Sequence, residues 1–156
     1  MLVWRISKVR YALDRLGTGA QMAGGRWNSP GVPVIYAGVN PGVCAMEKLV
    51  HTSNIMIPDL VLVSIRLPDD DALYQEYLPQ NLPAGWDALP SSTASMSFGD
   101  AFVSAQKHLG IFVPSVLMPE ELNLVINPSH PAFVHVTFTI ERPFNFDSRF
   151  GGKLVE

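Results

Sequence analysis

The sequence predicts an α/β (α+β) protein, one compact domain with a mixed β core flanked by helices. Three observations lead to that class. Short β-branched and apolar runs recur along the chain, as in LVLVSIRL from Leu60 to Leu67. Two segments between such runs carry helix start signals. A length of 156 residues fits one full hydrophobic core and leaves little room for a second.

Taken in order, Leu2 to Ile6 reads as a short strand. Residues 7 to 25 are polar and Gly-rich, a loop with a helical turn around Tyr11 to Leu16. Val32 to Ala37 is a β-branched strand bounded by turns. The clearest helix follows: Asn40 can cap it, Pro41 suits its first turn, and it should run to about Thr52. At about 100° per residue, Val43, Ala45, Met46, Leu49 and Val50 share one apolar arc. Lys48 points away from that arc and Glu47 sits at its edge. After the strand Leu60 to Leu67, Pro68 and Asp69 to Asp71 form a solvated turn, and residues 72 to 96 look irregular. Ser97 with Asp100 three residues on resembles a capping box. It opens a helix through about Leu109 that Gly110 ends. Ile111 to Leu117 is a strand in which Pro114 marks an edge or a bend. Leu122 to Ile126 and Phe133 to Ile140 complete the β content.

Composition narrows the functions. Hydrophobic residues make up 47% and charged residues 16%, so the chain folds to a core. The net charge of −3 and the lack of a basic block argue against direct nucleic-acid binding, which draws its affinity from Lys and Arg on phosphates. The only cysteine, Cys44, lies among small and apolar neighbours and reads as a buried structural thiol. A single cysteine rules out an intramolecular disulfide and a multi-cysteine metal site. The start, MLVWRISKVR, lacks the layout of a signal peptide, and no apolar run nears the roughly 20 residues that span a bilayer. A cytoplasmic protein without membrane contact is expected. The four histidines (51, 108, 130 and 135) show no metal-ligand spacing, so no metal is expected. His51 and His108 read as helical, His130 as part of a Pro-flanked turn and His135 as a strand residue. No phosphate loop, G-x-G-x-x-G or G-x-S-x-G pattern occurs.

Three residues stand out by position. Arg26 follows Gly24-Gly25, Tyr36 ends a buried strand, and Glu47 lies on the next helix at the core edge. Short connections let them converge on one cleft. A guanidinium suits a phosphate or pyrophosphate, a tyrosine can stack on a flat ring, and a half-buried carboxylate can stabilise positive charge or act as a base. Such a cleft suits a dinucleotide or nucleotide-sugar. Each residue also has a plainer reading: a solvated loop charge, a core tyrosine, and a surface ion pair.

Read together, the segments resemble the RES domain family, the toxin half of bacterial RES–Xre toxin–antitoxin modules. The likeness rests on Gly24-Gly25-Arg26-Trp27-Asn28-Ser29-Pro30-Gly31, Val34-Ile35-Tyr36-Ala37 and Ala45-Met46-Glu47-Lys48-Leu49. It continues through Gly99-Asp100, Val113-Pro114-Ser115, Asn127-Pro128-Ser129-His130-Pro131 and Phe146-Asp147-Ser148-Arg149. One departure is Phe102, where the family commonly has Trp. The resemblance covers nearly the whole chain, 1–156, as one RES domain. It implies a fold related to the ADP-ribosyltransferase toxins and a site that cleaves the nicotinamide–ribose bond of NAD+, with no cofactor beyond that substrate. By the same analogy Arg26, Tyr36, Glu47 and Ser115 line the cleft. Arg26 would meet the pyrophosphate or the nicotinamide-ribose phosphate, Tyr36 would pack on or bond near the nicotinamide, and Glu47 would stabilise the ribosyl cation or orient the acceptor. Ser115 would bond the substrate or hold Glu47. Trp27 and Asn28 would shape the loop or touch the substrate, Trp27 on the adenine side. The implied partner is an Xre-type antitoxin that blocks the cleft and carries the DNA contact. The acceptor of the ribosyl group stays open among water, inorganic phosphate and a protein. An RNA-cleaving toxin and a non-catalytic nucleotide-binding module are the competing classes.

Overall fold

The computed structural model describes residues 1–52 and 57–150. Strands β1 (Leu2–Lys8), β2 (Ile35–Gly38), β3 (Leu60–Arg66), β4 (Tyr74–Glu76), β5 (Gly110–Pro114), β6 (Leu122–Ile126) and β7 (Thr137–Phe144) form one sheet. Their spatial order is β4-β5-β6-β2-β1-β3-β7. β4 and β5 run parallel and every other neighbouring pair is antiparallel, which makes the sheet mixed. Three α-helices accompany it: α1 (Thr18–Ala23), α2 (Pro41–Val50) and α3 (Thr93–Ala105). The expected α/β class holds.

Burial follows composition. Residues Leu60 to Ile65 of β3 are buried without alternation, as a strand covered on both faces requires. One core cluster joins Val3, Ile35, Val63, Leu109 and Phe133. A second gathers Trp27, Trp86, Val103 and Val125. The third packs α2 through Val43 and Cys44 onto Ile6, Leu60 and Leu62.

The join between β1 and β2 matters most for function. β1 pairs with β3 along seven residues, but it meets β2 only at Trp4 and Gly38. Beyond that pair the two strands splay. The cleft described below opens there, between Arg5 and Ile6 on one side and Tyr36 and Ala37 on the other. α2 seals the joined end. A Cβ at Gly38 would lie 2.5 Å from Val43 Cγ1 and 2.8 Å from Cys44 Sγ, so only glycine admits the helix this closely.

Asn40 caps α2 as expected, its Oδ1 accepting from the Val43 N–H at 2.9 Å. Several expectations are corrected. α1 lies where a loop was predicted, because its six residues are too few to show a period. α3 starts at Thr93, capped by Ser92, whose Oγ accepts from the Ser95 N–H. Ser97 and Asp100 are therefore interior, and Asp100 instead binds Ser29. The helix ends at Ala105 with Gln106 left-handed (φ 53°), and Gly110 is freed to begin β5. β5 as a whole lies inside the sheet between β4 and β6, but Pro114 itself falls at a local edge, one of the two readings expected there. Pro114 is tolerated because β4 pairs only as far as Phe112, so no neighbour needs the missing N–H. β4 itself lies in the stretch read as irregular. Residues Pro131–His135 form a 3-10 turn where a strand was expected, and β7 begins only at Thr137. His108 follows α3 and His51 is the residue that caps the end of α2, so neither is inside a helix as expected. On α2 the buried residues are Val43 and Cys44, while Val50 at the end of the predicted arc is exposed.

α3 touches the 24–28 loop at one point without slack. A Cβ on Gly99 would lie 1.8 Å from the Trp27 carbonyl oxygen. Gly99→Ala should therefore destabilise the protein by about 1–3 kcal/mol through overpacking. Urea unfolding followed by tryptophan fluorescence should show a lower midpoint with an unchanged slope.

Candidate active site

A cleft of about 440 Å³ opens at the β1–β2 splay. Its walls come from β1, β2, the 24–27 loop, α2, the 89–91 segment, and the β5–β6 region. Arg26, Trp27, Tyr36 and Glu47 all line it, so four of the six residues singled out in the sequence converge. Asn28 and Ser115 do not. Both are 0% exposed and lie behind the walls, with Ser115 bonded to Glu47 and Asn28 to the loop, which are the alternatives to substrate contact that the sequence reading also gave.

The loop is built from buried polar contacts. Gly24 ends α1 with φ 71°, a conformation that favours glycine. Gly25 and Asn28 close a tight turn through reciprocal backbone hydrogen bonds. The Asn28 amide donates to the carbonyls of Ala20 (2.8 Å) and Val32 (2.9 Å), and its Oδ1 accepts from the Tyr36 hydroxyl at 2.7 Å. That hydroxyl in turn accepts from the Trp27 N–H at 3.0 Å. A Cβ at Gly25 would come within 2.6 Å of the same hydroxyl. Tyr36 therefore anchors the loop with its oxygen and offers only its ring to the cleft. Burial, the main cause, pushes its phenol above the ordinary range. Trp27 is nearly buried, stacked on Trp86 with centroids 6.3 Å apart and edge-on to Phe98. Burying such a ring contributes roughly 4–6 kcal/mol gross at about 25 cal/mol/Å² over about 200 Å². Its position fits loop shaping with one edge at the cleft.

Arg26 leaves this rigid turn and reaches across to the 86–88 segment. Its Nη1 donates to the carbonyls of Trp86 (2.7 Å) and Ala88 (2.9 Å). A guanidinium has five donors. Nη2 and Nε find no protein acceptor among the described residues, and they remain for a ligand.

Glu47 is held from behind. Its Oε1 accepts from Ser115 Oγ at 2.8 Å and from Asn123 Nδ2 at 2.7 Å. Ser115 is fixed in turn, its oxygen accepting from the backbone N–H of Leu117. Oε2 is left toward the cleft, 3.9 Å from His51 Nε2. Cys44, Glu47, Lys48 and His51 all line the cleft, a stripe at i, i+3, i+4 and i+7. Lys48, expected off the apolar arc, turns into the cleft; burial, then Lys8 and Arg5, lowers its ammonium below the ordinary value. Arg5, on β1, also lines the cleft, with its guanidinium lowered chiefly by burial. The cleft thus gathers three cations around one carboxylate in a chain of net charge −3.

Sequence reasoning missed Asn123, Arg5 and Lys48. A signal existed for one: Asn123 is the lone polar residue of the apolar strand LNLVI, whereas Arg5 shares LVWRISK with Ser7 and Lys8. Among the described residues no group of three or more His, Cys, Asp or Glu is arranged to hold a metal ion. No helix there is long and apolar enough to cross a membrane.

Comparison with known proteins gives the family and the fold. The RES domain profile matches residues 2–147. A protein of Sphingobium sp. (strain YBL2) named "Prs ADP-ribosylating toxin" is 38% identical over 151 residues, covering 94% of both chains. A "Toxin Res" of Pseudomonas putida (strain KT2440) is 37% identical, covering 96% of this chain and 99% of its own. Among solved structures, a chain of the M. tuberculosis MbcT–MbcA toxin–antitoxin complex superposes with a TM-score of 0.66 at 18% identity, a likeness of fold. It covers 98% of this chain and 87% of that one.

Cys44 lines the cleft but is not built as a nucleophile. It is buried, its Sγ donates to the Trp4 carbonyl at 3.1 Å, and burial pushes its thiol up to about 12. An unfolded thiol titrates near ~8.5. Between those values the folded thiol keeps its proton and the unfolded one loses it. Iodoacetamide at pH 9 should therefore label Cys44 quickly in urea and at least about tenfold more slowly in the native protein. Mass spectrometry against time checks this.

Proposed function

The chain belongs to the RES domain family, and from that premise we propose that it is the toxin of a toxin–antitoxin pair and cleaves the nicotinamide–ribose bond of NAD+. One observation carries the reading: Glu47 has one oxygen fixed by Ser115 and Asn123 and the other turned to a cleft flanked by Arg26 and Arg5. When the bond breaks, its electron pair leaves with the nicotinamide nitrogen, which becomes neutral. The ribose carbon then passes through an oxocarbenium-like state, as in glycoside cleavage. A carboxylate already oriented, and costing no reorganisation, stabilises that charge. Arg26 gives its free donors to the pyrophosphate, and Arg5 and Lys48 add positive potential for the same anion. Tyr36 offers its ring face to the nicotinamide. Ser115 and Asn123 are positioning residues that act through Glu47.

The acceptor of the ribosyl group decides the reaction's name. Water makes a glycohydrolase and inorganic phosphate a phosphorylase. Transfer to a protein is the second reading, favoured by the name of the Sphingobium relative, an ADP-ribosylating toxin. The site uses no cofactor or metal for this chemistry. An antitoxin, of Xre type by family analogy, would silence the protein by covering the cleft. Its place of action is the cytoplasm, where its substrate is.

Purified protein incubated with NAD+, with and without phosphate, should release nicotinamide, with the other product read by chromatography and mass. Folded protein that gives neither nicotinamide nor a labelled protein in lysate would overturn the reading. Glu47→Gln keeps shape and hydrogen bonding while removing the charge, and kcat should fall by about 10²–10³. Arg26→Ala should mainly raise KM. Ser115→Ala should lower kcat by about tenfold, leaving KM near the wild-type value.

A further inference from the structure

We propose that His51 is the general base that deprotonates a hydroxyl acceptor, and that the site is therefore built for water or an alcohol-type hydroxyl in preference to phosphate. This rests on the reading of Glu47 given above. His51 lines the same cleft, one turn along α2 from Glu47, and its Nε2 is 3.9 Å from Oε2. That separation is too long for a direct hydrogen bond. It is short enough for one oxygen to sit within about 2.8 Å of both atoms. Oε1 is already occupied by Ser115 and Asn123, so Oε2 is the oxygen that can orient such a guest.

The chemistry balances. The C1″–N bond breaks and its electron pair leaves with nicotinamide. A lone pair of the acceptor oxygen forms the new C1″–O bond, and the acceptor's proton passes to Nε2. The resulting imidazolium lies beside the Glu47 carboxylate, which stabilises it. The other groups facing this point are poorer bases. Arg5 and Arg26 are guanidiniums that do not give up a proton. Cys44 is engaged with the Trp4 carbonyl. Lys48 is the remaining nitrogen on this stripe, and its replacement tests it as the rival base. A phosphate dianion attacks without losing a proton, so it has no need of the base.

His51 has a side chain 78% exposed, so its replacement leaves the fold intact. Wild type, His51→Gln and Lys48→Met are each given NAD+ in buffer alone, with methanol, and with phosphate. ADP-ribose, its methyl glycoside and its 1″-phosphate are quantified together with nicotinamide. In His51→Gln the water and methanol products should fall by about 10²-fold while the phosphate product stays within about twofold. Added imidazole should restore the water product in His51→Gly. An equal fall in all three channels makes His51 merely structural and overturns the proposal. So does an unchanged water channel, or a water channel lost in Lys48→Met and kept in His51→Gln. Wild-type turnover only with phosphate overturns the base and leaves NAD+ cleavage standing. No nicotinamide under any condition overturns the base together with cleavage to a small acceptor.

Discussion

The constraint on which the site depends is the single residue pair joining β1 to β2. A continuous sheet would close the space between Arg5 and Tyr36 with a ladder of hydrogen bonds. Here the ladder stops after Trp4 and Gly38, and the strands part. The sheet survives because each half is anchored elsewhere, β1 along the length of β3 and β2 along β6. α2 bridges the two halves at the joined end, where Gly38 lets Val43 and Cys44 approach. The cleft is thus a defect in the sheet that the helix makes stable, and the same helix supplies Glu47 and Lys48 to it and ends at His51.

A second rigid body faces that helix. The Gly24–Asn28 turn is fixed by hydrogen bonds that leave no buried side-chain polar atom without a partner among the described residues. Asn28 saturates two carbonyls and the Tyr36 hydroxyl, and Asp100 holds Ser29 through both its backbone N–H and its hydroxyl. Buried polar networks of this kind carry a high penalty if one member is lost. Their effect here is directional. They leave Arg26 projecting from a hydrogen-bonded turn, with two of its five donors, those of Nη1, latched to the opposite wall.

Electrostatics then follow from placement. Arg5, Arg26 and Lys48 face a common space, and part of their hydration is replaced by protein, which favours an anionic guest. Among them the Glu47 carboxylate is kept in place by two neutral donors rather than by a salt bridge. Neutral donors orient the charge without cancelling it, which leaves its field available to a developing cation. The chain's overall negative charge does not contradict this, because the cations are concentrated in one cleft.

The amino-acid sequence by itself determined the α/β class, the Asn40-capped helix, the strands at Leu60 and Leu122, and the convergence of Arg26, Tyr36 and Glu47. These are local properties: a cap, a β-branched run, and short connections that limit how far neighbours can separate. It also marked the glycines before Arg26, because only a special backbone explains two in succession. What it could not show was which polar atoms are already engaged. Tyr36 reads as a ring that can stack, Ser115 as bonding either the substrate or Glu47, and Asp100 as part of a capping box. The partner that decides each role lies along the chain, nine residues away for Tyr36 and 68 or more for Ser115 and Asp100. Asn123 and Arg5 went unnoticed for the same reason. A polar residue in an apolar strand acquires its role only when the sheet order brings it beside another strand or helix. The tertiary structure decided that order, and with it the parting of β1 from β2, because pairing between strands depends on packing summed over the whole sheet rather than on any one segment.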